Sequence, residues 1–356
     1  MAVYKTIGLM SGTSLDGLDM VYAEFENLSD EWSFRILKSE SLNYDSLWKA
    51  RFAGIAQKQA VDFVQCHVDY GHYLGAQTKA FIRNNQLEVD VVGVHGHTVF
   101  HQPAMGFTSQ IGDGSAIAAL SEQLVACDFR SMDVARGGQG APLVPIGDAL
   151  LFSEYVARLN LGGFSNISFG GIDDLWAYDI CPVNIIMNEI CRKQGLEYDD
   201  KGNIARGGQV DRALLHQLNQ LEYYQQQAPK SLGKEWLDEQ IWPLLKTPYS
   251  DEDILRTLVE HMSDQIAASL GSSQLKPGKV LVTGGGAYND FLMERIRVKT
   301  NFEIIIPEPQ IVDMKEALIF AFLGLLRLLD QKNILAKVTG ASTSSISGAL
   351  YQGKLL

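Results

Sequence analysis

Three glycine-rich turns carry the residue types that bind phosphate. The first, Gly8-Leu9-Met10-Ser11-Gly12-Thr13-Ser14-Leu15-Asp16-Gly17-Leu18-Asp19, lies between two strand-like runs. Its glycines let an anion approach the backbone, and Ser11, Thr13 and Ser14 add hydroxyl donors. Asp16 and Asp19 can hold a cation such as Mg2+ directly or through water. It reads as a nucleotide-phosphate turn running from Gly12 through Thr13, Ser14, Leu15, Asp16, Gly17 and Leu18 to Asp19. No lysine follows, so it is not a Walker A loop, and a strand rather than a helix comes next, so it is not a Rossmann fingerprint. The second turn, from Asn160 to Ser168, contains Gly162, Gly163 and Asn166 and occupies the equivalent place later in the chain; alone, a packing hairpin would use the same letters. The third joins an apolar strand to a helix through Gly284, Gly285 and Gly286. Missing side chains there leave room for a flat ring, and the helix N-terminus offers free N–H groups to a phosphate or ribose.

Other reactive types are scattered. Glu316 stands near the start of a strongly apolar helical stretch, where an acid either orders Mg2+ or complements the helix dipole. His95, His97 and His101 are spaced closely enough to suggest zinc, but no thiolate or second ligand pair accompanies them, and hydrogen bonding to sugar hydroxyls is the better reading. Lys230, Ser231 and Lys234 either flank a site or cap the helix that follows.

The elements that must position these groups come in two similar series. Runs at 4–10, 20–25 and 33–42 form a β-meander, followed by helices at 44–57 and 61–84, a strand at 89–95, a helix at 112–123 and a strand at 124–129. The pattern restarts with strands at 155–161, 166–169 and 175–179. Helices follow at 183–194, 209–225, 234–245 and 251–270, then strands at 279–282 and 303–306 alternate with helices from 289 and at 314–329. The repetition implies an α/β protein of duplicated architecture with a ligand cleft between two lobes. The expected lobes are 1–130 and 131–356, with the C-terminal tail packing back on the first. The glycine-rich 136–140 stretch would be the hinge.

Composition excludes several classes of function. Lys and Arg number 30 against 42 Asp and Glu, a formal charge of −12, and no basic run appears, so nucleic acid is not an expected partner. The longest apolar stretch, 317–329, contains Arg327 and is too short to span a bilayer, and the first ten residues lack a secretion signal. The four cysteines form no CxxC pair, which suits reduced, buried thiols in the cytoplasm. No membrane contact is expected, and the sequence leaves room for a homodimer.

The three turns on a duplicated meander frame resemble the sugar kinase, Hsp70 and actin superfamily. Longer segments resemble the anhydro-N-acetylmuramic acid kinase family, in the same order along the chain: the first turn, His95-Gly96-His97-Thr98, QIGDGSAIA (110–118), DFRSMDVARGGQGAPLVP (128–145), 161–168, PKSLGKEW (229–236), 282–289 and DMKEALIFAFL (313–323). The chain departs from that family at Asp179-Ile180-Cys181-Pro182, where Asp-Thr-Gly-Pro is usual, and at His97, where glutamine is common. Its 338–341 segment also runs on into a Ser/Thr-rich stretch.

The resemblance implies two ribonuclease H-like, actin-like ATPase lobes, each a β-meander plus alternating α/β. It implies an ATP- and Mg2+-dependent enzyme of peptidoglycan recycling. That enzyme opens 1,6-anhydro-N-acetylmuramic acid with water and phosphorylates O6 to give N-acetylmuramic acid 6-phosphate and ADP. Asp179 matches the family's catalytic base. Glu316 would act beside it in catalysis and share Mg2+ with Asp16, His95 and His97 would bond the sugar, and Arg130 would pair with its lactyl carboxylate. The residues leave open an ordinary sugar hydroxyl kinase, which needs the same turns, and a non-enzymatic ATP-driven clamp.

Overall fold

The structure is a computed structural model of the 356-residue chain, and it describes residues 2–12, 17–29, 31–228, 230–246, 249–272 and 275–354. The chain divides into two compact units, Met1–Leu151 with Met314–Leu356, and Phe152–Asp313.

The first unit carries β1 (Val3–Ser11), β2 (Gly17–Leu28), β3 (Glu31–Asn43), β4 (Val91–Val94), β5 (His97–Gln102), β6 (Phe107–Ile111) and β7 (Leu124–Cys127). The second carries β8 (Ala157–Leu161), β9 (Phe164–Phe169), β10 (Trp176–Pro182), β11 (Lys279–Thr283) and β12 (Glu303–Ile305), and β13 (Ala349–Gln352) belongs again to the first. The sheet of the first unit runs β13-β7-β4-β1-β2-β3, and that of the second runs β10-β9-β8-β11-β12. In each, an antiparallel meander of three strands continues through its first strand into two parallel ones. The same strand order in both units is the duplicated ribonuclease H-like architecture.

Burial explains which residues form which strands. The short parallel strand β4 is buried along its whole length, as strands covered on both faces require. The outer strand β3 keeps exposed and half-buried positions throughout. Helix Ala60–Asn85 buries Cys66, Tyr70, Leu74, Thr78 and Phe81 at helical spacing against that sheet. In the second unit, helix Asp251–Ser272 does the same with Leu255, Leu258, Val259, Met262 and Ile266.

Helix Pro309–Leu328 lies directly on backbone. A Cβ on Gly8 of β1 would collide with the carbonyl oxygen of Ala317, and one on Gly93 of β4 with that of Phe320. This close approach sets the height of Glu316 over the first sheet.

Several expectations are corrected. The first unit extends through helix Val144–Leu151 instead of stopping near residue 130, and the chain crosses between units at 151–152 and again at 313–314, inside helix Pro309–Leu328. The 136–140 stretch is an internal loop of the first unit and not a hinge. The fully buried Asp133 accepts the Gly140 N–H at 2.7 Å and the Thr339 hydroxyl at 2.7 Å, and Gln139 N–H donates to the Thr339 carbonyl at 2.8 Å. Glycine composition signals conformational freedom, but these bonds use it to build one fixed turn. The hairpin of β5 and β6 was not anticipated, because His97, Gln102 and Gln110 dilute its alternation. The expected helix at 209–225 breaks into Arg212–Asn219 and Glu222–Gln225.

Candidate active site

In the first unit the chemistry-bearing residues gather where the parallel strands end, the usual ligand edge of such sheets. Ser11 closes β1, His95 follows β4 and Arg130 follows β7. Thr13, Ser14, Leu15 and Asp16 lie outside the described residues. Gly12, Gly17 and Asp19 line an open cavity of about 350 Å³ together with Met10, Ser41, Leu42, Asn43 and Glu316. Leu18 faces the other way and is fully buried in the core.

Asp19 accepts a 2.6 Å hydrogen bond from the Ser41 hydroxyl. Burial pushes the Glu316 carboxyl up, opposed by Lys315 and Arg130 and reinforced by Asp19 and Asp148. Lys315 itself is tied to Asp148 in a buried pair at 3.0 Å. Two carboxylates, a hydroxyl and an amide around one cavity are hard oxygen donors, the set that suits Mg2+. Among the described residues no group of three or more His, Cys, Asp or Glu is placed to hold a metal ion; Mg2+ asks for one or two protein carboxylates, the rest coming from phosphate and water.

The histidines brace this turn. The His97 ring stacks on Phe52 at 4.3 Å, its Nδ1 meets the Ser11 hydroxyl at 3.3 Å, and Tyr44, itself bonded to Tyr70 at 2.5 Å, donates to the same hydroxyl at 2.8 Å. His95 Nδ1 meets the Gly96 carbonyl at 2.9 Å and its Nε2 meets Arg130 at 2.9 Å. Burial, and for His95 also the Arg130 charge, holds His95 down to about 3 and His97 down to about 4, so both are neutral at neutral pH. Both ring nitrogens of His95 and Nδ1 of His97 therefore meet protein partners. Arg130 donates to His95 and, at 2.6 Å, to the Gly140 carbonyl. That brace accounts for its orientation. Burial lowers Arg130 to about 10, which leaves it charged.

In the second unit the second and third turns adjoin, since β8 and β11 pair in parallel with Asn160 opposite Thr283. The Gly162 and Gly163 carbonyls accept the N–H groups of Val183, Asn184 and Ile185 at the start of helix Asn184–Lys193, and the Asn184 amide donates to the Leu161 carbonyl at 3.0 Å. Gly284 has φ +82°, and a Cβ on it would lie 2.6 Å from Asn160 Oδ1, so this glycine is required by the fold. Gly163 is different. Its nearest neighbour would be Ile185 Cβ at 3.7 Å, ordinary contact. We expect Gly163→Ala to keep the parent Tm while weakening nucleotide binding about tenfold or more, because only a ligand needs that space. Calorimetric titration with a non-hydrolysable ATP analogue checks this, and unchanged affinity would remove Gly163 from the nucleotide site.

Asp179 lies near the end of β10 opposite Asn166, at a bulge that shifts register between Asp179 and Cys181. Its Oδ2 accepts the Leu232 N–H at 2.9 Å, while Oδ1 has no hydrogen-bond partner among the described residues. Burial raises this carboxyl against the Leu232 bond. A raised, half-buried carboxylate with one oxygen anchored and the other open is equipped as a general base.

A family profile for anhydro-N-acetylmuramic acid kinase matches residues 4–353. The chain belongs to the anhydro-N-acetylmuramic acid kinase family. An anhydro-N-acetylmuramic acid kinase of Acinetobacter baylyi is 34% identical over 98% of this chain and 99% of its own, and one of Aliivibrio fischeri is 35% identical over the same shares. Among solved structures, the activator of the 2-hydroxyisocaproyl-CoA dehydratase from Clostridium difficile aligns over 89% of this chain and 94% of that one, at 14% identity and a TM-score of 0.45. As a member of the anhydro-N-acetylmuramic acid kinase family, the chain is an enzyme, a phosphotransferase that draws on ATP.

Sequence reading missed Tyr44, Tyr70 and Tyr223, and it had Asn160 and Leu232 only as members of the second turn and of the PKSLGKEW segment. The PKSLGKEW segment carried a signal, but its contribution to Asp179 comes from the Lys230 carbonyl and the Leu232 N–H, and backbone groups leave no trace in residue type.

Proposed function

We propose that this chain opens 1,6-anhydro-N-acetylmuramic acid and phosphorylates it from ATP in one passage through the site, releasing N-acetylmuramic acid 6-phosphate and ADP. Asp179 Oδ1 takes a proton from a water whose oxygen bonds to C1. The C1–O6 bond breaks, O6 bonds to the γ-phosphorus, and the bond from that phosphorus to the β-phosphate oxygen breaks as ADP leaves. The departing alkoxide is neutralised by phosphoryl transfer, so one base suffices and no general acid is required. The observation that carries this reading is the half-anchored Asp179 carboxylate in a chain that matches the family over nearly its whole length.

The turns at 12–19, 162–163 with Asn166, and 284–286 bind ATP. Asp19 and Glu316, with Asp16 of the same turn, would hold Mg2+, which neutralises phosphate charge as it develops. Charged Arg130 stands by Glu316 and steadies it. The compartment is the cytoplasm, which fits four buried thiols, none in a disulfide, and the pathway is peptidoglycan recycling. Among the described residues no helix is long and apolar enough to cross a membrane.

The test is to incubate the protein with Mg2+-ATP and the anhydro-sugar and to weigh the sugar product. A gain of one phosphoryl group plus one water is expected. A gain of the phosphoryl group alone would mean an ordinary hydroxyl kinase, and ADP release indifferent to sugar would mean no sugar kinase at all.

A further inference from the structure

Every polar group of Asp179 except Oδ1 is held, and the holding groups form a closed circuit. The Tyr223 hydroxyl, on the short helix Glu222–Gln225, donates to the Asp179 carbonyl at 2.6 Å. Asp179 N–H donates to the Lys230 carbonyl at 3.2 Å, and Leu232 N–H donates to Asp179 Oδ2 at 2.9 Å. The circuit closes through Lys230, whose Nζ donates to the Tyr223 carbonyl at 3.1 Å and sits 4.6 Å over the Tyr223 ring and 5.8 Å over that of Tyr178.

The need for such a brace follows from the strand. A bulge interrupts the β9–β10 ladder immediately after Asp179, and bulges twist the chain and leave the extra residue without a ladder partner. The peptide that aims the carboxylate is thus not fixed by the sheet alone. Tyr223 is only 5% exposed, and its hydroxyl reaches across from another element to the Asp179 carbonyl on the open edge of the sheet, where β10 is the terminal strand.

We infer that Tyr223 is a positioning residue for the base: with the 230–232 segment it fixes the Asp179 peptide so that Oδ1, and not Oδ2, meets the attacking water. This rests on the reading of Asp179 as the base. Tyr223 touches no reacting atom in this account; it acts through Asp179.

The test is Tyr223→Phe, which keeps the ring and deletes the hydroxyl. The expected result is a fall in kcat of about tenfold or more, with KM for both substrates within about twofold and nucleotide affinity unchanged, since misaimed catalytic groups cost turnover and not ground-state binding. The acid limb of kcat should also move to higher pH. As the segment loosens, the Leu232 N–H that favours the ionised carboxylate withdraws from Oδ2. The titratable neighbours do not supply that limb. Tyr178 and Tyr223 are raised, Cys181 is pushed up to about 12, and Lys230, though lowered by burial, starts from an amine's value. Lys230→Met opens the circuit at its other joint and should move kcat and the limb in the same direction.

Parent kcat and an unmoved limb in Tyr223→Phe, beside an inactive Asp179→Asn, would overturn the positioning role and leave the base intact. Turnover retained in Asp179→Asn would instead overturn the base. Loss of activity in Tyr223→Phe with an unmoved limb, lower Tm and weaker nucleotide binding would show a merely structural tyrosine.

Discussion

Asp179→Asn should lower kcat by about 10³-fold while nucleotide affinity stays within about twofold of the parent. The amide keeps the shape of the carboxylate and can still accept the Leu232 N–H, so the fold around β10 has no reason to change. What it cannot do is accept the water's proton. The pH profile supplies the independent half of this result. A base works deprotonated, and burial raises Asp179 above its ordinary value. Activity should therefore fall as pH drops through that raised value, with an acid limb above the usual carboxylate range, near 4. A coupled assay of ADP release across pH measures both, and near-parent turnover in the variant would remove Asp179 from the mechanism.

Gly8→Ala should cost about 3 kcal/mol of stability or more, and with it most of the activity. The added methyl meets the Ala317 carbonyl oxygen and, 2.6 Å away, the Ala321 nitrogen. These are backbone atoms of a regular helix, so no side chain can rotate aside and the helix itself must lift from β1. Glu316 is the residue before Ala317, so the same displacement carries the proposed magnesium ligand out of register with Asp19 and the cavity they line. Gly93→Ala strikes the same helix at Phe320 and should behave alike. Denaturant unfolding followed by fluorescence gives the stability change. A midpoint equal to that of the parent would mean the helix has freedom that its contact with β1 does not suggest.

Much of this protein was legible in its residues. The repeated order of meander, helices and alternating strands follows from hydrophobic period and turn residues, local properties that a sequence states directly. The motif segments named the family because long strings of glycine, proline and charge at fixed spacing are too specific to arise from packing alone. They also picked out Asp179 and Glu316, whose surroundings here suit the chemistry expected of them.

Other features were decided only by tertiary structure, because they depend on where a group's hydrogen bonds end. Residue type gives His95 and His97 hydrogen-bonding capacity, but only the folded chain shows that burial keeps them neutral and that Ser11, Gly96 and Arg130 meet their nitrogens. The glycines at 136–140 looked like a hinge, yet a buried Asp133 locks them into one conformation. Gly163 and Gly284 look alike as letters. In space one leaves room and the other is demanded by a positive φ against Asn160, and that difference lies in atoms far away along the chain. The aim of the Asp179 carboxylate belongs to the same kind: a tyrosine 44 residues away and two backbone groups beyond it determine which oxygen is open. A sequence fixes which groups exist and the local period that folds them, whereas proximity between distant residues arises only when the core closes and the unpaired polar groups must find one another.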